Sequence, residues 1–309
     1  MKIGINLTNL MWDTAENRAK AINAMGLLSS SIVRDGMRQE ATSFIAANYL
    51  ATLGPVSLVL SIMPEDFDGN EQPPLPLDLI NLDRWEARFR IWLEAFVAAS
   101  VDLAIAEAGN ELDYYLFNRM IDKNAPSLID DQLLPLARAF ARFLERAAMV
   151  LREYYPRCKL LPFGIAHFRG KTPNGSVVNP GKILAILGDL DGRNYLELID
   201  GLNVHIYPSI SDNVSVMIPE RLTKFVTDTG TQLPVYVTEL GYANAVAWPG
   251  GRYNAHVQGY YALRSCPQRI DAIILYALDD FIGGKKWYVD PITYFPLPEA
   301  RFLRQFNAI

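Results

Sequence analysis

Short apolar runs alternate with amphipathic stretches along the chain. The run at 56–63 is almost wholly apolar, which is typical of a strand buried on both faces of a sheet. Residues 14–28 instead carry apolar side chains at helical spacing, and they predict an amphipathic helix with Asp13 as its N-cap. This alternation predicts parallel strands joined by helices rather than a series of hairpins.

The same pattern continues to the end of the chain. The predicted strands are 2–8, 31–35, 56–63, 101–109, 159–166, 201–207, 233–241 and 271–277. The predicted helices are 14–28, 39–53, 82–99, 131–155, 180–190, 218–229, 250–264 and 299–306, and Asp83 is expected to cap the third of them. Eight such strands predict an α/β fold, a (β/α)8 TIM barrel, although a doubly wound open sheet has the same local pattern. The number of strands favours the barrel.

The size of the chain agrees with one barrel. Its 309 residues are 50% apolar and 20% charged, so the chain can bury a large core. No side-chain pattern recurs with a period of 20 to 50 residues, and no low-complexity linker interrupts the alternation. We therefore expect a single domain over residues 1–309.

Two of the predicted strands end in a glutamate. Glu239 follows Val-Tyr-Val-Thr, and Glu111 closes the triplet Gly-Asn-Glu. A single acid at such a position is most often a helix cap or an ion-pair partner. In a barrel, however, the carboxyl ends of all strands surround one mouth, so distant strand ends share one cavity. The strand-end residues expected there are Asn6, Arg34, Met63, Asn110, Glu111, His167, His205, Tyr207, Glu239, Tyr276 and Asp279.

Charge and motif content exclude several functions. The net charge of −5 and the pI near 5.3 give no electrostatic footprint for nucleic acid or an anionic membrane. The two cysteines, Cys158 and Cys266, have no metal-ligand spacing, and the three histidines form no His-x-His or His-Glu-x-x-His motif. Glycine-rich nucleotide loops and the Gly-x-Ser-x-Gly elbow are absent from the sequence. We expect no cofactor and no metal site.

The N-terminal sequence bears on location. Met-Lys-Ile-Gly-Ile-Asn begins a strand pattern directly, without the apolar h-region of a signal peptide. No stretch of about 18 uninterrupted apolar residues occurs elsewhere. The expectation is a soluble, cytoplasmic protein with no membrane partner, or an exported one if the chain is a trimmed form. The oligomeric state is left open.

Four short motifs carry a family resemblance. They are Arg34 after strand two, Asn110-Glu111 after strand four, His205-Ile-Tyr207 after strand six and Thr238-Glu239 after strand seven. In this order they resemble the clan A glycoside hydrolases, which are retaining (β/α)8-barrel enzymes whose acid/base and nucleophile follow strands four and seven. The resemblance covers the whole chain in element order, and in sequence it is confined to these motifs.

The resemblance implies a glycosidase that cleaves a β-linked oligo- or polysaccharide with retention, by double displacement. Glu111 would be the acid/base and Glu239 the nucleophile. Arg34 and Tyr207 would keep Glu239 ionised, whereas burial and the charge of Glu239 would raise the pKa of Glu111. Substrate contacts are expected from Asn110 to the sugar 2-hydroxyl and from His205 to the reactive sugar. A backbone carbonyl could equally satisfy that histidine.

One strand end departs from the family pattern. Strand eight commonly ends in a tryptophan that forms the floor under the reactive sugar, and here Tyr276 takes that place. Trp287, in the following loop, could supply the floor instead. This departure leaves room for a catalytically altered barrel that binds carbohydrate or assists polysaccharide assembly. An unrelated barrel lyase or aldolase is a further alternative, but no predicted strand ends in the lysine that a Schiff-base enzyme needs.

Overall fold

The computed structural model describes residues 2–7, 14–28, 30–37, 43–64, 76–115, 129–165, 179–209, 211–242 and 251–276. The strands are β1 Lys2–Asn6, β2 Ile32–Gly36, β3 Ser57–Ile62, β4 Asp102–Ala108, β5 Lys159–Leu161, β6 Leu202–Ile206, β7 Val235–Leu240 and β8 Ile270–Leu275. The α-helices are α1 Ala15–Leu28, α2 Ser43–Thr52, α3 Leu82–Ala98, α4 Leu112–Tyr115, α5 Ile129–Tyr154, α6 Pro180–Leu187, α7 Val214–Thr229 and α8 Gly251–Arg264.

The strands form one parallel sheet that closes on itself. Their order is β5-β4-β3-β2-β1-β8-β7-β6, and every neighbouring pair is parallel. Beyond β5, Ile165 forms a parallel bridge with Val204 of β6, and the His205 amide donates to the Ile165 carbonyl at 3.0 Å. The sheet therefore joins its first and last strands, which confirms the closed (β/α)8 barrel over the doubly wound sheet.

Most predicted elements occur within a few residues of their expected bounds, and some differ for identifiable reasons. The regular part of the fifth strand stops at Leu161, because Pro162 has no amide to continue the ladder. The N-cap of α3 is Asn81, whose side chain accepts from the Arg84 amide, and the prediction of Asp83 was wrong. Asp83 lies in the first turn and pairs with Arg146 instead. Asp13 and the closing helix at 299–306 lie outside the described residues.

Alternation along the strands sorts side chains between the helix layer and the barrel interior. The interior holds a small apolar cluster made up of Ile32, Val59, Ile105, Leu161, Tyr236, Ala272 and Ile274. Side chains two positions further along a strand lie on the same face, one layer nearer its carboxyl end. This register places Arg34 above Ile32 and Glu107 above Ile105. A polar layer therefore covers the apolar layer at the mouth of the barrel.

The helix layer is anchored to the same end of the barrel by Trp85 of α3. Its indole nitrogen donates to the carbonyl of Met63, just past β3, at 2.9 Å. Its ring also packs edge-on against Phe143 of α5, with ring centroids 4.8 Å apart. Met63 in turn accepts from the Asn110 amide through its sulfur at 3.1 Å. The packing of two helices thereby fixes the strand ends near β3 and β4. In the part of the chain that is described, no helix has the length and apolar character needed to cross a membrane.

Candidate active site

Arg34 is the hub of the polar layer. The residue is 4% exposed, and its guanidinium contacts three side chains from β4, the β4 loop and β7. Nε and Nη2 donate to Glu107 at 2.7 to 3.1 Å, Nη1 donates to Glu239 at 2.7 Å, and Nη2 also donates to Asn110 Oδ1 at 2.7 Å. Burial opposes the charge of Arg34, but the carboxylates of Glu107 and Glu239 outweigh it and raise its pKa. The arginine is therefore a permanent cation that binds two carboxylates at once.

Glu239 reaches this layer through a bulge in β7. Val204 of β6 pairs with Val237, yet the next residue, His205, pairs with Glu239, so Thr238 is an extra residue in β7. Neighbouring residues of a regular strand point to opposite faces. The bulge instead lets both Thr238 and Glu239 approach the His205 ring, with Thr238 Oγ1 3.1 Å from Nε2 and Glu239 Oε2 3.6 Å from Nδ1.

Tyr207 supplies the second hydrogen bond to Glu239. The tyrosine lies just past β6, and its hydroxyl donates to Glu239 Oε2. Burial, reinforced by the charge of Glu239, raises the pKa of Tyr207 well above its usual value, so the phenol stays protonated. Gly241 makes this approach possible, because a Cβ there would lie 2.5 Å from Tyr207 Cε1. Each oxygen of Glu239 thus has its own donor, Arg34 for Oε1 and Tyr207 for Oε2.

Glu111 occupies a strained backbone position after β4. Its φ of 50° is in the left-handed region, and the preceding Gly109 has a φ of 105°. The Glu111 amide donates to the Gly164 carbonyl at 2.8 Å, which ties this loop to the β5 loop. Non-glycine residues in this region cost of order 1–3 kcal/mol and cluster at functional sites. The conformation brings the carboxylate of Glu111 to His205, with Oε1 2.9 Å from Nδ1.

His205 lies between the two glutamates and is fully buried. Burial lowers the pKa of this imidazole, but the charge of Glu239 and the hydrogen bond and charge of Glu111 outweigh it, so the net direction is upward. The β5 loop makes room for the ring with a glycine. A Cβ on Gly164 would lie 2.3 Å from His205 Nε2.

A buried polar chain fixes which nitrogen of His205 carries the proton. The side-chain amide of Asn203 has hydrogen-bond partners for both of its atoms in one orientation. In that orientation its nitrogen donates to the carbonyls of Phe163 and Pro162, and its oxygen accepts from the Gly164 amide. In that orientation the oxygen is 3.4 Å from Thr238 Oγ1, which donates to it and accepts from His205 Nε2–H. Nδ1 is then the nitrogen that shares a proton with Glu111.

The two glutamates are close to each other. One oxygen from each, together with one His205 nitrogen, form a set whose members all lie within 4.8 Å of one another. Carboxyl groups of retaining glycosidases lie roughly 5–5.5 Å apart, whereas those of inverting enzymes lie roughly 6.5–9.5 Å apart. Carboxylate oxygens within 4.8 Å of each other are compatible with the shorter of these two separations.

The same three side chains are the only His and carboxylate set within the described ranges that is close enough to hold a metal ion. The surroundings work against a cation there. Arg34 already places a positive charge 2.7 Å from Glu239, and Tyr207 donates to the other oxygen. The donor set is therefore better matched to proton transfer and carboxylate attack than to metal binding.

Tyr276 lies next to this group. Its ring packs edge-on against Tyr207 with centroids 5.8 Å apart, and its amide donates to the Leu240 carbonyl at 3.0 Å. It thus lies at the end of β8 beside the group, as the sequence predicts, next to the residue that binds Glu239. Trp287, His167 and Asp279 lie outside the described residues, so their expected places at the mouth stay predictions.

The structure brings together six of the site residues expected from the sequence, namely Arg34, Asn110, Glu111, His205, Tyr207 and Glu239. Sequence reasoning missed Glu107, the strongest partner of Arg34, which is completely buried. The sequence does indicate a buried charge here, because Glu107 is the one carboxylate within the otherwise apolar run 103–108. An unpaired charge there would be costly, which predicts a buried cationic partner.

Comparison with solved structures places this fold among known barrels. No protein-family model matches the sequence, and no curated protein matches it in sequence either. A fungal β-1,4-galactanase structure aligns over 99% of each chain, with 12% identity and a TM-score of 0.65. A psychrophilic family 10 endo-β-1,4-xylanase aligns over 99% of this chain and 96% of its own, with 14% identity and a TM-score of 0.60. A family 30 endoxylanase from Clostridium papyrosolvens C71 aligns over 100% and 72%, also with 14% identity and a TM-score of 0.60. At these identities the likeness establishes the fold alone, and this chain is a closed (β/α)8 barrel like those three glycoside hydrolases.

Proposed function

We propose that this protein is a retaining glycoside hydrolase that cleaves a β-linked oligo- or polysaccharide by double displacement. The observation that carries the proposal is the pair of unlike glutamates, whose carboxylate oxygens lie within 4.8 Å of each other. Glu239 accepts from an arginine and a tyrosine, which suits a carboxylate that must stay ionised. Glu111 faces an imidazole with which it can share a proton, which suits an acid.

In the first step Glu239 is the nucleophile. Its carboxylate attacks the anomeric carbon from the face opposite the leaving group, and the bond between that carbon and the glycosidic oxygen breaks. The electron pair of the broken bond goes to the glycosidic oxygen, which takes a proton from Glu111. The result is a glycosyl ester on Glu239 and a free hydroxyl on the departing sugar.

In the second step the roles of Glu111 reverse. The ionised Glu111 takes a proton from a water molecule, whose oxygen attacks the anomeric carbon and displaces the Glu239 carboxylate. Two inversions at one carbon give net retention. His205 supports both steps, because the Glu111–His205 pair holds one proton that it can give up and take back.

Net charge favours the transition state of these steps. Arg34 and Glu107 cancel each other, and the protonated Glu111–His205 pair is neutral, which leaves the charge of Glu239 uncompensated. A site with one negative charge stabilises the oxocarbenium character that develops on the sugar. Asn110 adds a donor, because its Oδ1 accepts from Arg34 and its Nδ2 is then the group that faces a sugar 2-hydroxyl.

The substrate class is proposed from chemistry and from the structural neighbours together. The galactanase and the xylanase named above act, by their names, on β-1,4-linked polysaccharides. The pair of carboxylates in this barrel suits hydrolysis of a glycosidic bond in general, while the loops determine the sugar. The reaction needs neither a cofactor nor a metal ion.

A substrate screen tests the proposal. Wild type and Glu239→Gln would be assayed against aryl β-glycosides and β-linked polysaccharides, with release of phenol or reducing ends as the measurement. We expect turnover by wild type alone. If wild type is silent across the panel while calorimetry detects sugar binding, the catalytically altered, carbohydrate-binding barrel is correct instead, and silence in both measurements would refute both functions.

A further inference from the structure

Glu107 has no place in the two steps above, yet it is the most completely buried carboxylate of the site. Its side chain has no exposed surface, and it binds Arg34 through three hydrogen bonds of 2.7 to 3.1 Å. A charge without solvent is costly unless it is paired in good geometry. Such a group, one layer above the apolar interior and joined to Glu239 through Arg34, calls for a functional explanation.

The geometry of the guanidinium divides its donors between two carboxylates. Glu107 takes the edge formed by Nε and Nη2, which is the bidentate arrangement that fixes the plane of an arginine. This leaves Nη1 for Glu239 and the second hydrogen of Nη2 for Asn110. Without Glu107, none of these contacts would prevent the guanidinium of Arg34 from rotating so that its Nε–Nη2 edge faces Glu239.

The charge of Glu107 matters as much as its shape. A carboxylate paired with an uncompensated buried arginine is strongly stabilised as an anion, and such an anion is a poor nucleophile. Arg34 and Glu107 together are neutral, so Arg34 acts on Glu239 mainly as a hydrogen-bond donor. We propose that Glu107 is a positioning residue that aligns Arg34 and, by its charge, keeps Glu239 basic enough to attack the sugar. This inference rests on the retaining function proposed above.

Two roles for Glu107 predict opposite changes in the titration of Glu239. If its charge tunes Glu239, Glu107→Gln removes a negative charge and the pKa of Glu239 falls, by about one to two units for groups that share one guanidinium at an effective dielectric of about 20. If Glu107 only holds Arg34 in place, the variant loosens Arg34 and the pKa of Glu239 rises instead.

The first measurement is the pH profile of kcat/KM, whose acid limb reports ionisation of the nucleophile in the free enzyme. For Glu107→Gln we expect the acid limb to move down by about one unit and kcat to fall about tenfold to 100-fold. The matched control is Glu86→Gln, because Glu86 also bridges two arginines, Arg90 and Arg146, but in the helix layer where α3 packs on α5. Its acid limb and kcat should equal those of wild type.

A second variant separates charge from alignment. Glu107→Asp keeps the charge but withdraws the carboxylate by about one methylene, so its acid limb should stay near that of wild type while kcat still falls. Thermal unfolding of each variant verifies that it is folded under assay conditions. If Glu107→Gln does not fold, a shift of the acid limb in Glu107→Asp as large as one unit would overturn the proposal.

Carbon-13 NMR of glutamate-labelled protein makes the test independent of turnover, with Glu239→Gln used to assign the Glu239 signal. A lower titration midpoint for Glu239 in Glu107→Gln supports the proposal. An unchanged or higher midpoint overturns it, even if wild type is an active glycosidase. An inactive wild type with a lowered midpoint in the variant would instead refute the proposed function and leave the coupling between Glu107 and Glu239 intact.

Discussion

Glu111 and Glu239 present carboxylate oxygens within 4.8 Å of each other from two unusual backbone positions. Glu111 has a left-handed φ after β4, and Glu239 follows the extra residue of a bulge in β7. Regular strand ends would not aim both side chains at one point, and the backbone departs from regularity at both. The two environments also differ, with two donors on Glu239 and an imidazole on Glu111. The same residue type therefore lies in two different environments, as the two proposed roles require.

Removal of the Glu239 carboxylate should abolish covalent catalysis. We expect Glu239→Gly to lose at least about 10⁴-fold in kcat on an activated aryl β-glycoside, because the variant lacks the nucleophile of the proposed first step. Azide fills the space left and attacks the sugar once, so the product should be the inverted glycosyl azide. Proton NMR of the product identifies its configuration. A retained azide from this variant would contradict the assignment.

The effect of removing the Glu111 carboxyl group on the rate should depend on the leaving group. Glu111→Ala should slow hydrolysis of a poor leaving group about 10²- to 10⁴-fold, which is the range of general acid catalysis. An activated aryl group needs little protonation, so its first step should be nearly unaffected and the glycosyl ester should accumulate. Azide should then release a glycosyl azide of retained configuration. Equal losses on both substrates, without rescue, would indicate structural damage instead of a missing acid.

Tyr207 and Tyr276 form a matched pair for testing the hydrogen bond to Glu239. Their rings contact each other, and the Tyr207 hydroxyl donates to Glu239. Tyr207→Phe should lower kcat about 10²- to 10³-fold, as expected for one donor to a charge that changes during reaction. Tyr276→Phe should lower kcat less than tenfold. Comparable losses in the two variants would argue against a specific role for the Tyr207 hydroxyl.

The sequence predicts those residues of the polar layer that lie at the ends of strands. Arg34, His205 and Tyr207 each lie at or just past the end of an apolar run, so parallel strands in a barrel bring them to one mouth. Glu107 lies inside its run, and whether it faces the interior depends on register. Register follows from pairing with neighbouring strands, which the local pattern does not specify.

Two further features of the site could not be predicted from the hydrophobic periodicity of the sequence. The bulge at Thr238 adds one residue to β7 and has no glycine or proline to mark it. The left-handed φ of Glu111 runs against the propensity of glutamate, and the contact of its amide with Gly164 stabilises it. In both cases tertiary contacts override the local preference, and both occur at the proposed catalytic residues.

The pKa of His205 makes the stability of the folded protein depend on pH, which gives a test that needs no activity assay. Burial opposes protonation of His205, but Glu239 and Glu111 outweigh it and raise the pKa of the folded protein above the unfolded value of about 6.5. A raised folded-state pKa adds stability that is fully present below about pH 6.5 and is lost as the pH rises through the folded-state pKa.

His205→Gln should therefore lose more free energy of unfolding at pH 5.5 than at pH 8.5, as measured by urea denaturation of variant and wild type in parallel. His256→Gln is the control, because His256 is also buried, 3% exposed, but packs its ring against Tyr242 of the β7 loop. The control gives the cost of removing a second buried imidazole at the same two pH values. An equal or larger loss at pH 8.5 for His205→Gln would mean that the two glutamates do not favour its protonation, and the Glu111–His205 pair would then not store the proton that the proposed first step requires.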